Sequence, residues 1–149
     1  MDKISIITVN EPCHLKALNQ PAKTITREDW NNIECALKRA AKEYKHLAVG
    51  ISAVQVGWPA RAFVFIYEHG ITIFKNPVLL QHGDKTNIDE ETCLSIPGKR
   101  FRVKRYSKIT VRDDLNGKMI LRGFAARVWQ HEFDHLNGRT LLDVGEEVT

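Results

Sequence analysis

A His-Glu-x-x-His pattern at residues 131–135 constrains the fold of this chain more than any other feature, because its chemistry depends on a helix. Residues four apart stack on one face of a helix, so His131 and His135 can both reach one cation there. Glu132 projects about 100° away from His131, toward water bound to such a cation rather than toward the cation itself. The pattern therefore predicts a helix that carries two metal ligands and a base.

Apolar residues extend this helix toward its N-terminus. Phe124 and Val128 fall on the same face as the two histidines, at steps of three and four residues. The predicted helix spans residues 124–136, and the Asn-Gly pair at 137–138 supplies its end.

The rest of the chain predicts one further helix and several strands. Residues 1–25 are expected to be mostly irregular, and a surface helix is expected to begin near Thr26, with its pattern changing after Lys45. Segment 48–57 is interpreted as a loop or a close-packed turn, and segment 81–90 is a polar stretch to which no element is assigned. Strands are predicted where β-branched and aromatic residues cluster, at 62–67, 71–74, 101–106, 108–112 and 118–121. This order of elements indicates an α+β fold.

Composition limits the class of protein. The 149 residues are 43% hydrophobic and 27% charged, which predicts one globular domain over 1–149. Three cysteines without regular spacing argue against a disulfide framework. The chain has no apolar run of membrane-spanning length and no secretory signal pattern, so a cytoplasmic protein without a membrane partner is expected. The net charge of +4 permits an anionic partner without requiring one.

A helix-borne histidine pair needs a third protein ligand. No histidine follows His135, and the metzincin extension is absent because Leu141 stands where that pattern has histidine. Cys93 is the best candidate, since a thiolate binds Fe²⁺, Zn²⁺, Co²⁺ or Ni²⁺. The alternative is a cysteine that only fills the core.

Three segments resemble the motifs of the peptide deformylases. Residues 91–95, Glu-Thr-Cys-Leu-Ser, are similar to the family's Glu-Gly-Cys-Leu-Ser, and residues 130–136 are similar to Gln-His-Glu-x-Asp-His-Leu. Residues 48–55, Ala-Val-Gly-Ile-Ser-Ala-Val-Gln, are similar to Gly-x-Gly-x-Ala-Ala-x-Gln. The resemblance extends from Pro12 to about Leu142. It implies mixed antiparallel sheets around a central helix that carries the His-Glu-x-x-His pattern.

The family removes the formyl group from the N-formylmethionine of new polypeptides and releases formate. The resemblance implies that Cys93, His131 and His135 bind one divalent metal ion, typically Fe²⁺, with Zn²⁺, Ni²⁺ or Co²⁺ as alternatives in purified protein. It implies that Glu132 is the general base and then the general acid, while hydroxide at the metal attacks the formyl carbon.

The resemblance also implies which groups face the substrate. The Gln55 side-chain amide and the Leu94 backbone N–H are implied to stabilise the oxyanion. Gly50 is implied to lie where the substrate backbone approaches like an added strand. Further groove residues are implied at Val49, Glu91, Thr92, Arg100, Phe124 and Val128. Thr92 replaces the family's glycine and is expected to alter the groove or the local backbone, while the alternative for Phe124 and Val128 is a place in the core.

Partners are the last expectation. N-formylmethionyl peptides are implied as substrates, and no DNA partner is expected. The basic stretch 99–105 is interpreted as a solvated strand face, and the alternatives are that it binds nascent-chain carboxylates or ribosomal RNA. Within this stretch, Arg105 could instead pair with Glu91. On the predicted helix, Asp134 could hydrogen-bond a ligand imidazole. Only fourteen residues follow His135, so a compact, phage-like form is expected, without the long C-terminal helix with which bacterial members dock on the ribosome.

Two other functions remain open from the residues themselves. One is a zinc endopeptidase that uses the same His-Glu-x-x-His chemistry. The other is a basic ribosome- or RNA-binding module whose metal ion is structural.

Overall fold

A computed structural model describes residues 3–149 of the chain. The helices are α1 Pro12–Leu18, α2 Trp30–Tyr44, α3 Gly123–Leu136 and α4 Leu141–Val144, with a 3₁₀ turn at Ala53–Val56. The strands are β1 Gly50–Ser52, β2 Ala62–Tyr67, β3 Gly70–Lys75, β4 Val78–His82, β5 Thr86–Cys93, β6 Ile96–Tyr106, β7 Lys108–Asp113, β8 Gly117–Arg122 and β9 Glu146–Glu147. No helix within 3–149 is long and apolar enough to cross a membrane.

The strands form three antiparallel sheets of three strands each. Their orders are β1-β2-β3, β4-β7-β8 and β5-β6-β9. Helix α3 packs against strands of all three sheets, among them β1, β6 and β8. The predicted α+β class, with antiparallel sheets around the helix that carries the histidine pair, is confirmed.

One face of α3 is anchored in the main apolar core. Trp129 is completely buried and meets the Phe63 ring edge-on, with the ring centroids 5.8 Å apart. Ala126 and Leu136 lie in the same core, one turn before Trp129 and two turns after it. Burial of this face fixes the rotation of α3, and thereby the direction in which its histidines point.

Helix α2 covers the sheet β1-β2-β3 as an amphipathic surface helix. Ile33, Leu37 and Ala40 are buried against that sheet, as their three- and four-residue spacing predicts. The helix begins at Trp30 rather than near Thr26, because residues 27–29 form a turn and the Asp29 side chain makes no capping hydrogen bond.

Three segments hold more regular structure than the sequence predicts, and for residues 12–18 the expectation of irregular structure is wrong. Residues 12–18 form α1, because Pro12 occupies the first helical turn, where a missing N–H costs nothing. Residues 53–56 form the 3₁₀ turn, in line with the close-packed turn that was one alternative for 48–57, whereas the short strand β1 before it was not predicted. The polar segment 81–90 contributes to β4 and β5, which pair with β7 and β6 and so satisfy backbone groups despite few apolar side chains.

Candidate active site

Three potential metal ligands converge between α3 and the end of β5. The donor atoms of Cys93, His131 and His135 all lie within 4.8 Å of one another, and Cys93 Sγ is 3.5 Å from His135 Nε2. Burial alone would raise the pKa of the Cys93 thiol, but the two imidazoles bring it well below its usual value. One soft and two borderline donors at this spacing suit a divalent transition metal ion.

Glu91 fixes the orientation of the His131 ring. Its Oε1 lies 2.8 Å from His131 Nδ1, which leaves Nε2 for the metal side. Arg105 donates two hydrogen bonds of 2.9 Å to the Glu91 carboxylate. Arg127 Nη1 donates a third, of 2.5 Å. Although burial raises the pKa of Glu91, the hydrogen bonds from His131 and Arg105 bring it down to about 2.

The hydrogen bonds around Glu91 decide two alternatives that the sequence leaves open, one for Arg105 and one for Asp134. Arg105 pairs with Glu91, and the pair is buried. Asp134 does not hold a ligand imidazole; its Oδ2 accepts a 2.5 Å hydrogen bond from Arg105 Nη1 instead. Arg105 thus bridges the two carboxylates, with Nη2 on Glu91 and Nη1 on Asp134.

Sequence reasoning missed Arg127, which lies in the apolar run Phe-Ala-Ala-Arg-Val-Trp. Its guanidinium bonds Glu91, the carbonyl of Val103 and the Asn87 backbone and side chain. A charged residue within an otherwise apolar helix face was the available signal, since such residues are rarely buried without a partner. Its partner comes from a strand 36 residues away in sequence.

Glu132 is a buried carboxylate beside the three ligands. It is 3% exposed, and its Oε1 has no hydrogen-bond partner among the described residues. Burial raises the pKa of Glu132 above its ordinary value. A buried carboxylate oxygen without a partner is costly, so the site is arranged for a group that binds there, as water beside a metal ion would.

Gln55 presents its amide toward Cys93 from the 3₁₀ turn. Its Oε1 accepts a hydrogen bond from the Ser52 backbone N–H, which orients the amide. Its Nε2 lies 3.4 Å from Cys93 Sγ and 3.0 Å from Ser95 Oγ. The side chain is 2% exposed, so it is held rather than free to rotate. Ser52 and Ser95 were not singled out from the sequence.

A single cleft of about 580 Å³ opens over this site. Cys93, Leu94, Gln55, His131 and Glu132 line it. It is also lined by every residue that the resemblance implies for substrate binding, namely Val49, Gly50, Glu91, Thr92, Arg100, Phe124 and Val128.

The individual positions in the cleft differ. Phe124 is 67% exposed and lies at the rim, so the core alternative does not apply to it, whereas Val128 is buried in the core and also lines the cleft. Thr92 lies where the pairing of β5 with β6 shifts register. Among residues 3–149 only Asn76 is a non-glycine residue with positive φ, so threonine fits the backbone at position 92 without left-handed strain.

The basic stretch 99–105 is neither a free cationic face nor uniformly solvated. Lys99 pairs with Glu147 at 3.1 Å, and Arg100 pairs with Glu90 at 2.9 Å. Arg105 is buried in the Glu91 network. Acidic neighbours therefore compensate a large part of its charge.

Comparisons with known proteins agree with this geometry. The family model for polypeptide deformylase matches residues 4–148. Peptide deformylase of Thermotoga petrophila is 38% identical over 131 residues, which cover 85% of this chain and 79% of that protein. Peptide deformylase of Halothermothrix orenii is 34% identical, and 99% of each chain is covered.

Solved structures show the same similarity. The crystal structure of peptide deformylase from Thermotoga maritima has a TM-score of 0.82 and 33% identity, and covers 97% of this chain and 98% of that one. The Met-Ala-Ser-bound class I type b peptide deformylase from Acinetobacter baumannii has a TM-score of 0.82 and 25% identity, with 96% and 98% covered.

Proposed function

This chain belongs to the polypeptide deformylase family and removes the N-formyl group from nascent peptides, and we propose that the reaction takes place in the cleft over Cys93, His131 and His135. The observation that carries this assignment is the convergence of those three donors, within 4.8 Å of one another, beside the buried carboxylate of Glu132. The whole of 1–149 is then one catalytic domain.

The family implies a divalent metal ion, and the residues present fit one. Cys93, His131 and His135 would hold it, and the low pKa of the Cys93 thiol provides the thiolate that such a ligand must be. The ion supplies Lewis acidity, which makes water nucleophilic near neutral pH. The donor set accepts Fe²⁺, Zn²⁺, Co²⁺ or Ni²⁺, and we propose Fe²⁺ in the cell from the family resemblance.

Glu132 moves the proton in this scheme. Its unpartnered Oε1 accepts a proton from the attacking water and later delivers it to the amine nitrogen that leaves. The new C–O bond forms at the formyl carbon, the C–N bond breaks, and the products are formate and a peptide with a free amine. A carboxyl whose pKa is raised by burial is better suited to both transfers than an exposed one.

Gln55 and the backbone of Leu94 stabilise the negative charge on the formyl oxygen. The Gln55 Nε2 donor is already held near Cys93 Sγ, so little reorganisation is needed during reaction. Leu94 follows the cysteine directly, at the turn between β5 and β6. Both donors line the cleft.

The substrate is the N-terminus of a formylated peptide. The A. baumannii relative is described with Met-Ala-Ser bound, which corresponds to a deformylated peptide. Here Val49, Phe124 and Val128 supply apolar surface for a methionine side chain, and β1 offers an edge at Gly50 for the peptide backbone. In β1-β2-β3 the strand β1 is an edge strand, so its outer side is unpaired within that sheet.

Formate release from formyl-Met-Ala-Ser by metal-loaded protein tests this function. We expect turnover by the wild-type chain and a fall in kcat of roughly 10²–10⁴-fold in Glu132→Gln, with metal content retained. Cys93→Ala is expected to lose the metal ion. A metal-replete wild-type protein that releases no formate would refute the assignment, and full activity in Glu132→Gln would refute the role of that carboxylate.

A further inference from the structure

The outward face of the sheet β4-β7-β8 is basic. Lys108 and Arg112 project from β7, Lys118 and Arg122 project from β8, and all four residues are exposed. The pairing register places Arg112 opposite Lys118 and Lys108 opposite Arg122. Two cation pairs therefore stand directly across from each other on neighbouring strands. We call these four residues the basic sheet face.

This arrangement costs stability in the isolated protein. Directly opposed side chains on antiparallel strands have Cβ atoms roughly 4.5–5.5 Å apart, and like charges at that distance repel. Within 3–149 none of the four side chains has a hydrogen-bond or ion-pair partner. The outward positions beside them are occupied by uncharged side chains, Val78, Gln81, Thr110 and Ile120. Among residues 3–149 no carboxylate oxygen lies within 4.0 Å of the charged nitrogens of these four side chains, so an external anion is the available contact partner.

The basic sheet face differs in this respect from the stretch 99–105. There Lys99, Arg100 and Arg105 each have a glutamate partner. Three of the five basic residues in the stretch 99–105 are therefore paired, whereas none of the four dispersed over 108–122 is. The pairing of β7 with β8 brings those dispersed residues together on one face of the sheet.

We propose that the basic sheet face binds the phosphate backbone of duplex RNA. Arginine and lysine side chains in two rows suit a phosphate backbone. The outward positions in register with these four residues carry no aromatic ring, and the His82 ring at the end of β4 is already stacked on Tyr106, so the face offers no open platform for stacking unpaired bases. Thr110 pairs with Gln81 between the two cation pairs. These hydroxyl and amide groups can hydrogen-bond to 2′-hydroxyls in the shallow minor groove of an RNA duplex.

The basic sheet face lies apart from the catalytic cleft. None of its four residues lines the cleft. The inward residues of the same strand, Ile109 and Val111, are buried in the core with Trp129 of α3. RNA bound outside and a peptide bound in the cleft would thus occupy different surfaces, and this inference goes beyond deformylation.

Fluorescence anisotropy with a labelled RNA hairpin of about 20 base pairs tests the proposal. Four phosphate contacts give a log–log salt slope of about −3.6, so affinity should fall roughly 100-fold between about 50 and 200 mM KCl. At the lower salt concentration, the variant K108Q/R112Q/K118Q/R122Q should bind at least about tenfold more weakly than wild type.

A matched variant removes the same charge elsewhere. Arg27, Lys42, Lys45 and Arg139 are exposed and lie outside the sheet face, and their replacement by Gln should weaken RNA binding less than about threefold. Both variants should hydrolyse formyl-Met-Ala-Ser at the wild-type rate, which separates failure of this proposal from failure of the catalytic one.

Three results would overturn the proposal. One is the absence of RNA binding by the wild type, and the second is equal loss of affinity in both variants, since it would indicate net charge alone. The third is tighter binding to duplex DNA of the same sequence or to phosphatidylserine vesicles, since the face would then suit another polyanion.

Discussion

A side chain at Gly50 would collide with the carboxylate of Glu132. A Cβ built on Gly50 would lie 2.8 Å from Glu132 Oε2 and 3.1 Å from Val128 Cγ1. The backbone of β1 and helix α3 therefore approach each other closely at this point because position 50 lacks a side chain. This contact makes Gly50 a determinant of where the Glu132 carboxylate, the proposed base, lies, separate from any contact with substrate.

Gly50→Ala is expected to displace the Glu132 carboxylate. A displacement of about 1 Å at the base would lower kcat roughly 10²-fold, while the three metal ligands keep their positions. Steady-state formate release and metal analysis measure both effects. Gly70→Ala is the matched control, because a Cβ at Gly70 meets nothing within 4 Å and its φ is not positive. Wild-type kcat in Gly50→Ala would show that Glu132 has room to adjust.

Gln55→Glu is expected to remove a donor without changing shape. A carboxylate cannot donate a hydrogen bond to the developing oxyanion, so kcat should fall about 10²–10³-fold with KM little changed. Gln20→Glu adds the same charge at an exposed position and should have wild-type kinetics. A similar kcat in both variants would exclude Gln55 from transition-state stabilisation.

Glu91→Gln is expected to weaken both folding and metal binding. The substitution leaves Arg127 buried without an anionic partner and Arg105 with Asp134 alone, which costs roughly 3–5 kcal/mol of unfolding free energy. Loss of the carboxylate on His131 should lower metal affinity about 10–100-fold. Urea unfolding and competition with a metal indicator dye measure the two effects.

Glu90→Gln provides the comparison for Glu91. Glu90 is the preceding residue on β5, but it pairs with Arg100 at the surface, where both side chains are partly exposed. Such a pair contributes less than about 1 kcal/mol, and Glu90 contacts no ligand. Equal destabilisation by the two substitutions would contradict the assignment of Glu91 as the centre of a buried network.

The local parts of this site were predictable from the sequence, and the non-local parts were not. The spacing of His131 and His135 is a property of one helix, and the structure places both on α3. Cys93 became a candidate only because the histidine pair needs a third ligand, since nothing local distinguishes a ligand cysteine from a buried one, and the family resemblance then supported it. The contacts of Arg127 and Asp134 could not be predicted from the helix alone. They depend on which strands face α3, and that depends on the pairing of β5 with β6.

The fold shows the same division. Strands with alternating or continuous apolar residues, such as β2 and β7, were predicted, whereas β5 was not, because its residues are mostly polar and exposed. Its backbone is held by the long pairing with β6 rather than by side-chain burial. Residues 1–25 were expected to be mostly irregular, yet Pro12 begins α1, because proline is favourable in the first turn of a helix.

Removal of the metal ion should lower thermal stability as well as abolish activity. Only the folded chain brings the donor atoms of Cys93, His131 and His135 within 4.8 Å of one another, so a bound ion stabilises the folded state alone. At a free metal concentration about 100 times Kd the expected gain is about 2.7 kcal/mol. Thermal unfolding before and after treatment with 1,10-phenanthroline, followed by addition of Ni²⁺, measures this gain and its reversal. Cys93→Ala should show no metal-dependent shift in Tm, and a shift of wild-type size in that variant would place the ion elsewhere.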